Sequence, residues 1–247
     1  MTLLRACQEC TRIQTLDRRE NFMRTIVALS ATLILSLQVA AAEPATTAGK
    51  VMTNAEEVVP IREGATVPKL TLKTMDGKQK ELHALLAEKP TVLVFYRGGW
   101  CPYCNKHLAK LQMIEPKLME LGYQVVAVSP DRPEKLRESL GKQRLNYTLL
   151  SDSSAAATKA FGLAFQVDDG TLIKYKSFDI DLDDASGESH HILPVPAVYL
   201  IDQQGLIRFT HFDPNYKTRL NTDLLLAKAE TLREQAEGFT ESTAKQE

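Results

Sequence analysis

Charge of one sign is what this chain most plainly lacks. Its 30 basic residues nearly cancel its 31 acidic ones, leaving a formal net charge of -1. That balance removes the electrostatic case for nucleic acid or an anionic membrane surface as partner. Long apolar runs are missing too: a membrane span needs roughly 20 apolar residues, and the best candidate, Thr25 to Val39, is shorter. Cysteine is scarce, with four in 247 residues. They stand as two pairs of Cys-x-x-Cys spacing, Cys7 with Cys10 and Cys101 with Cys104, which counting alone does not separate. A closed zinc site needs four ligands, and no second Cys-x-x-Cys or histidine pair lies near Cys7 and Cys10. His107, His190 and His191 also match no ligand spacing and read as exposed residues, so neither a metal nor another cofactor is implied. What is present, 44% hydrophobic and 25% charged residues, fits a soluble globular chain with one full-sized core plus extensions.

Context separates the two cysteine pairs. Residues 23–42 have the layout of a secretory signal peptide: Arg24, the apolar stretch Thr25 to Val39, then Ala40, Ala41 and Ala42 before Glu43 and Pro44. Residues 1–22 are polar and charged and resemble no part of such a signal, so Met23 is an alternative start and 1–22 a non-native extension. Cleavage near Ala42 removes Cys7 and Cys10 in either case. The expected location is periplasmic or secreted, free of the membrane once cleaved, with an uncleaved anchor as the alternative. Residues 43–63 read as a linker, 64–237 as the folded domain and 238–247 as a polar tail.

Within the domain, Thr91 to Tyr96 and Gln124 to Ser129 are apolar, β-branched runs expected as strands buried on both faces. Leu70 to Thr74, Tyr147 to Leu150, and a hairpin of Ala197 to Ile201 with Leu206 to His211 add further strands. Helices are expected over Glu81 to Glu88, from the Cys101 region to Gly122, over Pro133 to Gln143, Ser153 to Phe161 and Arg219 to Ala236. In the second of these, Leu108, Leu111, Met113, Ile114, Leu118, Met119 and Leu121 form the apolar face, and Pro116 predicts a kink or break. Residues 166–192 are polar, with acidic Asp179, Asp181, Asp183 and Asp184, and read as an insertion. The order of elements, parallel crossovers first and a hairpin last, predicts an α/β domain: a central mixed β-sheet flanked by helices on both faces.

Cys101 and Cys104 follow a buried strand and a Gly98-Gly99 turn, at the first turn of a helix whose opening tolerates Pro102. Residues three apart on a helix are neighbours. A helix N-terminus carries partial positive charge and free N–H donors, and cysteines placed there have pKa values lowered from about 8.5 to roughly 3.5–7.5. A structural disulfide stabilises by closing a long loop, and this one closes only two intervening residues. The pair is therefore expected to be redox-active.

The stretch Val94 to Cys104, with Arg97, Gly98, Gly99, Trp100, Cys101, Pro102 and Tyr103, resembles the alkyl hydroperoxide reductase/thiol-specific antioxidant (peroxiredoxin-like) family of the thioredoxin superfamily. So do Gly64 with Pro68, Ser129-Pro130-Asp131, and Leu193 to Asp202 with Gly205; the resemblance runs from about Gly64 to Ala229. It implies a thioredoxin-like fold and thiol-dependent reduction of a peroxide substrate, with recycling by a thioredoxin-like or other dithiol reductant. In that family the last Cys of Pro-x-x-x-Thr/Ser-x-x-Cys attacks the peroxide. Laid on this chain, Cys104 takes that peroxidatic position and Cys101 the Thr/Ser position, as resolving thiol of a redox-active disulfide; Arg97 stands where the first Pro would be. Thioredoxins laid on the same stretch make Cys101 the attacking sulfur, with Trp100 packed beside it and Pro196 as a cis-proline facing it. The family's peroxide-binding arginine is absent at Pro196, and Arg97 or Arg132 is the replacement to consider. The alternative function is a periplasmic thiol–disulfide oxidoreductase acting on protein disulfides.

Overall fold

The computed structural model describes residues 49–143 and 145–244; the signal segment, Cys7 and Cys10 lie outside them. Strands β1 (Thr71–Thr74), β2 (Gln79–Glu81), β3 (Thr91–Phe95), β4 (Gln124–Ser129), β5 (Thr148–Ser151), β8 (Ala197–Ile201) and β9 (Ile207–Phe212) form one sheet in the order β2-β1-β5-β4-β3-β8-β9. The central β5-β4-β3 pairings are parallel, and the pairings outside them are antiparallel. A separate ribbon pairs β6 (Ala164–Gln166) with β7 (Ile192–Pro194).

Alternation along β3 explains the layering. Val92 and Val94 face one core with Leu108, Leu111, Leu118, Leu136 and Leu225, from helices α2 (Pro102–Glu120), α3 (Pro133–Gln143) and α7 (Thr222–Ala244). Leu93 and Phe95 face the other, with Leu82, Leu85 and Leu86 of α1 (Leu82–Glu88) and Ala157 of α4 (Ala156–Ala160), followed by Phe161. Period-two side-chain alternation requires helices on both faces when every strand residue is apolar. The mixed sheet with helices on both sides is the architecture expected.

Four expectations need correction. Helix α2 runs unbroken through Pro116. That residue is exposed, on the solvent side of the helix, where the lost N–H costs least. Met113, 80% exposed, and Met119 are not part of the buried face. Residues 49–63, expected as linker, lie along the domain: Gly49 N donates to Lys159 O, Met52 N to Ala164 O and Ile61 N to Phe161 O, and Val58 is buried. The polar stretch 166–192, read as an insertion, is largely helical. It holds α5 (Asp169–Ser177) and α6 (Leu182–Ser186), capped by Asp168 and Asp181, whose side chains accept from Thr171 N and from Asp183 N and Asp184 N. Helix α7 continues to Ala244, past the start of the expected tail.

Phe161 joins the layers on the α1 side, its ring 4.7 Å from that of Phe95 and 5.3 Å from that of Tyr199. Phe161→Ala is expected to cost about 3–5 kcal/mol, read as a lowered midpoint in urea unfolding.

Candidate active site

Strand β3 ends at Phe95, and the chain turns through Arg97, Gly98 and Gly99 into α2. Gly98 has φ +146°, and a Cβ there would lie 2.3 Å from Trp100 Nε1, so only glycine fits. At Gly99 a Cβ would lie 1.8 Å from Ser139 Oγ of α3. The turn is tied down by Gly99 N donating to Asp131 Oδ2 at 2.7 Å, Cys101 N to Gly98 O at 3.1 Å and Asn105 Nδ2 to Gly99 O at 2.8 Å. Cys101 is the N-cap of α2 and Pro102 its first residue, so the N–H that proline lacks is one the helix does not use.

Both sulfurs are free thiols, Cys101 1% exposed and Cys104 0%. Their acidities are driven apart. The Cys104 thiol donates to Cys101, and that bond is the largest influence bringing the Cys101 pKa down to about 6. Burial opposes it, while the Cys104 backbone N–H and the charges of Arg97 and Arg219 assist. Burial, and the same bond seen from its donor, push the Cys104 thiol up.

A cavity of about 710 Å³ opens at Cys101, walled by Arg97, Trp100, Tyr103, Tyr175 and Tyr216. Arg97 is 3% exposed and makes no ion pair among the described residues. Its guanidinium sits 4.1 Å from the Tyr216 ring centre, 5.2 Å from Trp100 and 5.5 Å from Tyr175, and it donates to Tyr175 Oη. Aromatic faces steady a cation without neutralising it. The α5 residues Thr171, Lys174 and Tyr175 complete one wall, so the insertion is part of the site.

The family profile of the AhpC/TSA family matches residues 64–210. The chain belongs to the AhpC/TSA family. Peroxiredoxin Bcp of Escherichia coli K12 is 32% identical over 104 residues, 42% of this chain and 66% of that protein. Chloroplastic peroxiredoxin Q of Gentiana triflora is 31% identical over 121 residues, 49% of this chain and 55% of that one. The chain thus spans less than two thirds of the length of these relatives. Among solved structures, peroxidoxin BcpB from Mycobacterium tuberculosis superposes with a TM-score of 0.54 at 20% identity, covering 69% of this chain and 97% of that one. Reduced Prx3 from Vibrio vulnificus in complex with H2O2 gives 0.57 at 20% identity, covering 68% and 99%. That likeness carries the fold, which is thioredoxin-like.

The structure brings Cys101, Cys104, Trp100 and Arg97 together, while Arg132 is turned to Asp184. Pro196 lines a separate small cavity with His107, His211 and Arg219, and every peptide bond among the described residues is trans. The expected cis bond is therefore absent. Trans is the lower-energy X-Pro state by about 0.5–1 kcal/mol, and here the flanking backbone is already paired, Val195 N to Leu163 O and Asp213 N to Pro196 O. Arg132 is held by Asp184 at 2.6 Å. The histidines are not exposed: His107 is buried, and His190 and His191 are half-buried, with His190 Nε2 against Ser153 O and His191 Nε2 against Asp183. Sequence reasoning missed Arg219, whose Nη2 donates to Cys104 Sγ at 3.3 Å. It lies 115 residues from that cysteine and in no motif, so no local signal marked it.

The acidities give a direct expectation. The Cys101 thiolate forms as pH rises through about 6, seen as ultraviolet thiolate absorbance. Cys104→Ala, which removes the leading donor, moves that midpoint upward.

Proposed function

We propose that this protein is a thiol-dependent peroxidase whose Cys101 and Cys104 reduce hydrogen peroxide or an organic hydroperoxide. The observation that carries the reading is the Cys101 sulfur, drawn toward its thiolate by the Cys104 thiol and by Arg97 and Arg219, opening on a cavity with an ion-pair-free arginine in its wall. The thiolate attacks the peroxide O–O bond; an S–O bond forms, the O–O bond breaks, and the departing oxygen takes a proton to leave as water or alcohol. Cys104 then attacks the sulfenic sulfur. The S–S bond forms, and hydroxide leaves with the thiol proton as water. A thioredoxin-like or other dithiol donor restores both thiols by exchange.

The family alignment assigns first attack to Cys104 and resolution to Cys101. Cys104, however, does not line the cavity, and its thiol is pushed up where that of Cys101 is drawn down. These observations support the opposite order, and we assign first attack to Cys101 and resolution to Cys104. Arg97 would stabilise charge on the departing oxygen, and Arg219 would steady the Cys104 sulfur as it loses its proton. Trp100 shapes the cavity wall. The same attacking sulfur suits a protein disulfide, which keeps the thiol–disulfide oxidoreductase as the second reading. Action in a periplasm or outside the cell rests on the signal segment, residues 23–42.

The deciding experiment adds one equivalent of hydrogen peroxide to reduced protein and traps sulfenic acid in Cys101→Ser and Cys104→Ser. Trapping on Cys101 in Cys104→Ser, faster than on free cysteine, is the expected result. Trapping on neither variant ends the peroxidase reading, and turnover of an insulin disulfide without peroxide reduction replaces it with the second. Arg97→Gln is expected to slow peroxide attack by about a hundredfold, measured by stopped flow.

A further inference from the structure

Asp131 follows β4 and is 1% exposed, yet only one of its oxygens is fully engaged. Oδ2 accepts from Gly99 N at 2.7 Å and from Ser129 Oγ at 3.1 Å, while Oδ1 has no partner. On the loop opposite, the buried Nε of Arg97 has none either. Both side chains line one small cavity beneath Trp100, with room for about one water molecule. Buried polar atoms are almost always hydrogen-bonded. Two unsatisfied groups of opposite charge on one such cavity are what a single water, accepting from Nε and donating to Oδ1, would satisfy.

We propose that Asp131 and Arg97 form a water-bridged pair behind the active site, and that Asp131 is thereby a positioning residue that tunes the Cys101 sulfur. This rests on Cys101 being the reactive thiolate. Asp131 acts in two ways. Through Gly99 N–H it fixes the turn that aims Trp100 and Cys101 into the cavity. Through the bridge its negative charge draws on the guanidinium from behind, so less of that positive charge falls on the thiolate. A sulfur less strongly stabilised is a better nucleophile, because nucleophilicity falls as thiol pKa falls.

The ionisable and charged groups facing Asp131 are Cys101 at the start of α2, Arg97 and Tyr96 after β3, Lys135 on α3, and His190 and His191 before β7. Burial is the main cause of a raised Asp131 pKa of about 6, with the Cys101 charge adding to it and the Gly99 N–H and Lys135 opposing. Carboxyl and thiol therefore titrate in the same range as a coupled pair.

Coupling is reciprocal, which gives two independent arms to the test. Asp131→Asn keeps an oxygen for Gly99 N–H and removes the charge. Its Cys101 thiolate midpoint should fall by about one unit, and its limiting rate with a neutral alkylating reagent should fall about threefold. In the second arm, Cys101→Ser leaves Asp131 in place, and the midpoint of its carboxyl signal by carbon NMR should fall by the same amount. A purely structural Asp131 would move neither midpoint. Unmoved midpoints, or a rise in either, overturn the proposal, and the second arm decides it if Asp131→Asn fails to fold. Coupled midpoints in a protein that forms no sulfenic acid would uphold this inference while removing the peroxidase reading. Peroxide reduction with uncoupled midpoints would do the reverse.

Discussion

A negative sulfur almost wholly removed from water survives only if protein donors replace those the solvent would give, since an isolated buried charge is costly. Around Cys101 the replacements are the Cys104 thiol and backbone N–H in the first turn of α2, and the charges of Arg97 and Arg219. Each arrives from a different part of the chain. The site therefore exists only when the β3–α2 turn, the helix start and the segment leading into α7 are all in place. Much of the fold can be understood as the apparatus for that convergence.

The turn between β3 and α2 is tightly specified backbone. Gly98 and Gly99 leave room for the Trp100 indole and for Ser139, and Asp131 holds the turn from the end of β4. Parallel pairing of β3 with β4, Phe95 opposite Val128, brings the carboxyl ends of both strands to the same edge. Ser129, Asp131 and the cysteines meet there because adjacent parallel strands end together. Crevices at the carboxyl ends of strands are where α/β sheets commonly bind ligands.

How much of this was legible in the sequence follows from how local each signal is. Strands β3, β4 and β8 are near-continuous apolar runs, and the helix start is marked by a buried strand, two glycines and a proline, so these were readable within a few residues. The Cys101–Cys104 pair was readable for the same reason. Pro116 misled because proline's cost depends on which face it occupies, and Met113 because an apolar residue adjoining the stripe need not be in it. Helix α5 shows no amphipathic period; it is held by its Asp168 cap and by Leu172 and Tyr175 packing beside Val167, Leu182 and Leu193. Such a helix is specified by tertiary contacts that composition does not reveal.

The missing family arginine shows the same limit from the side of chemistry. A cation can reach a buried sulfur from any element that passes nearby, and what matters is where its charge lies, not where its residue stands in the chain. At the position where the resemblance calls for an arginine the chain has Pro196, while Arg97 and Arg219 approach the two sulfurs from elsewhere. The alignment that located the cysteines so well was therefore least informative about the charges around them. Those charges bear on which cysteine is the more acidic, so the order of attack proposed above rests on packing more than on motif. Two sulfurs three residues apart on one helix are pushed in opposite directions because the Cys104 thiol donates to Cys101, which lowers the one, while burial and that same bond raise the other.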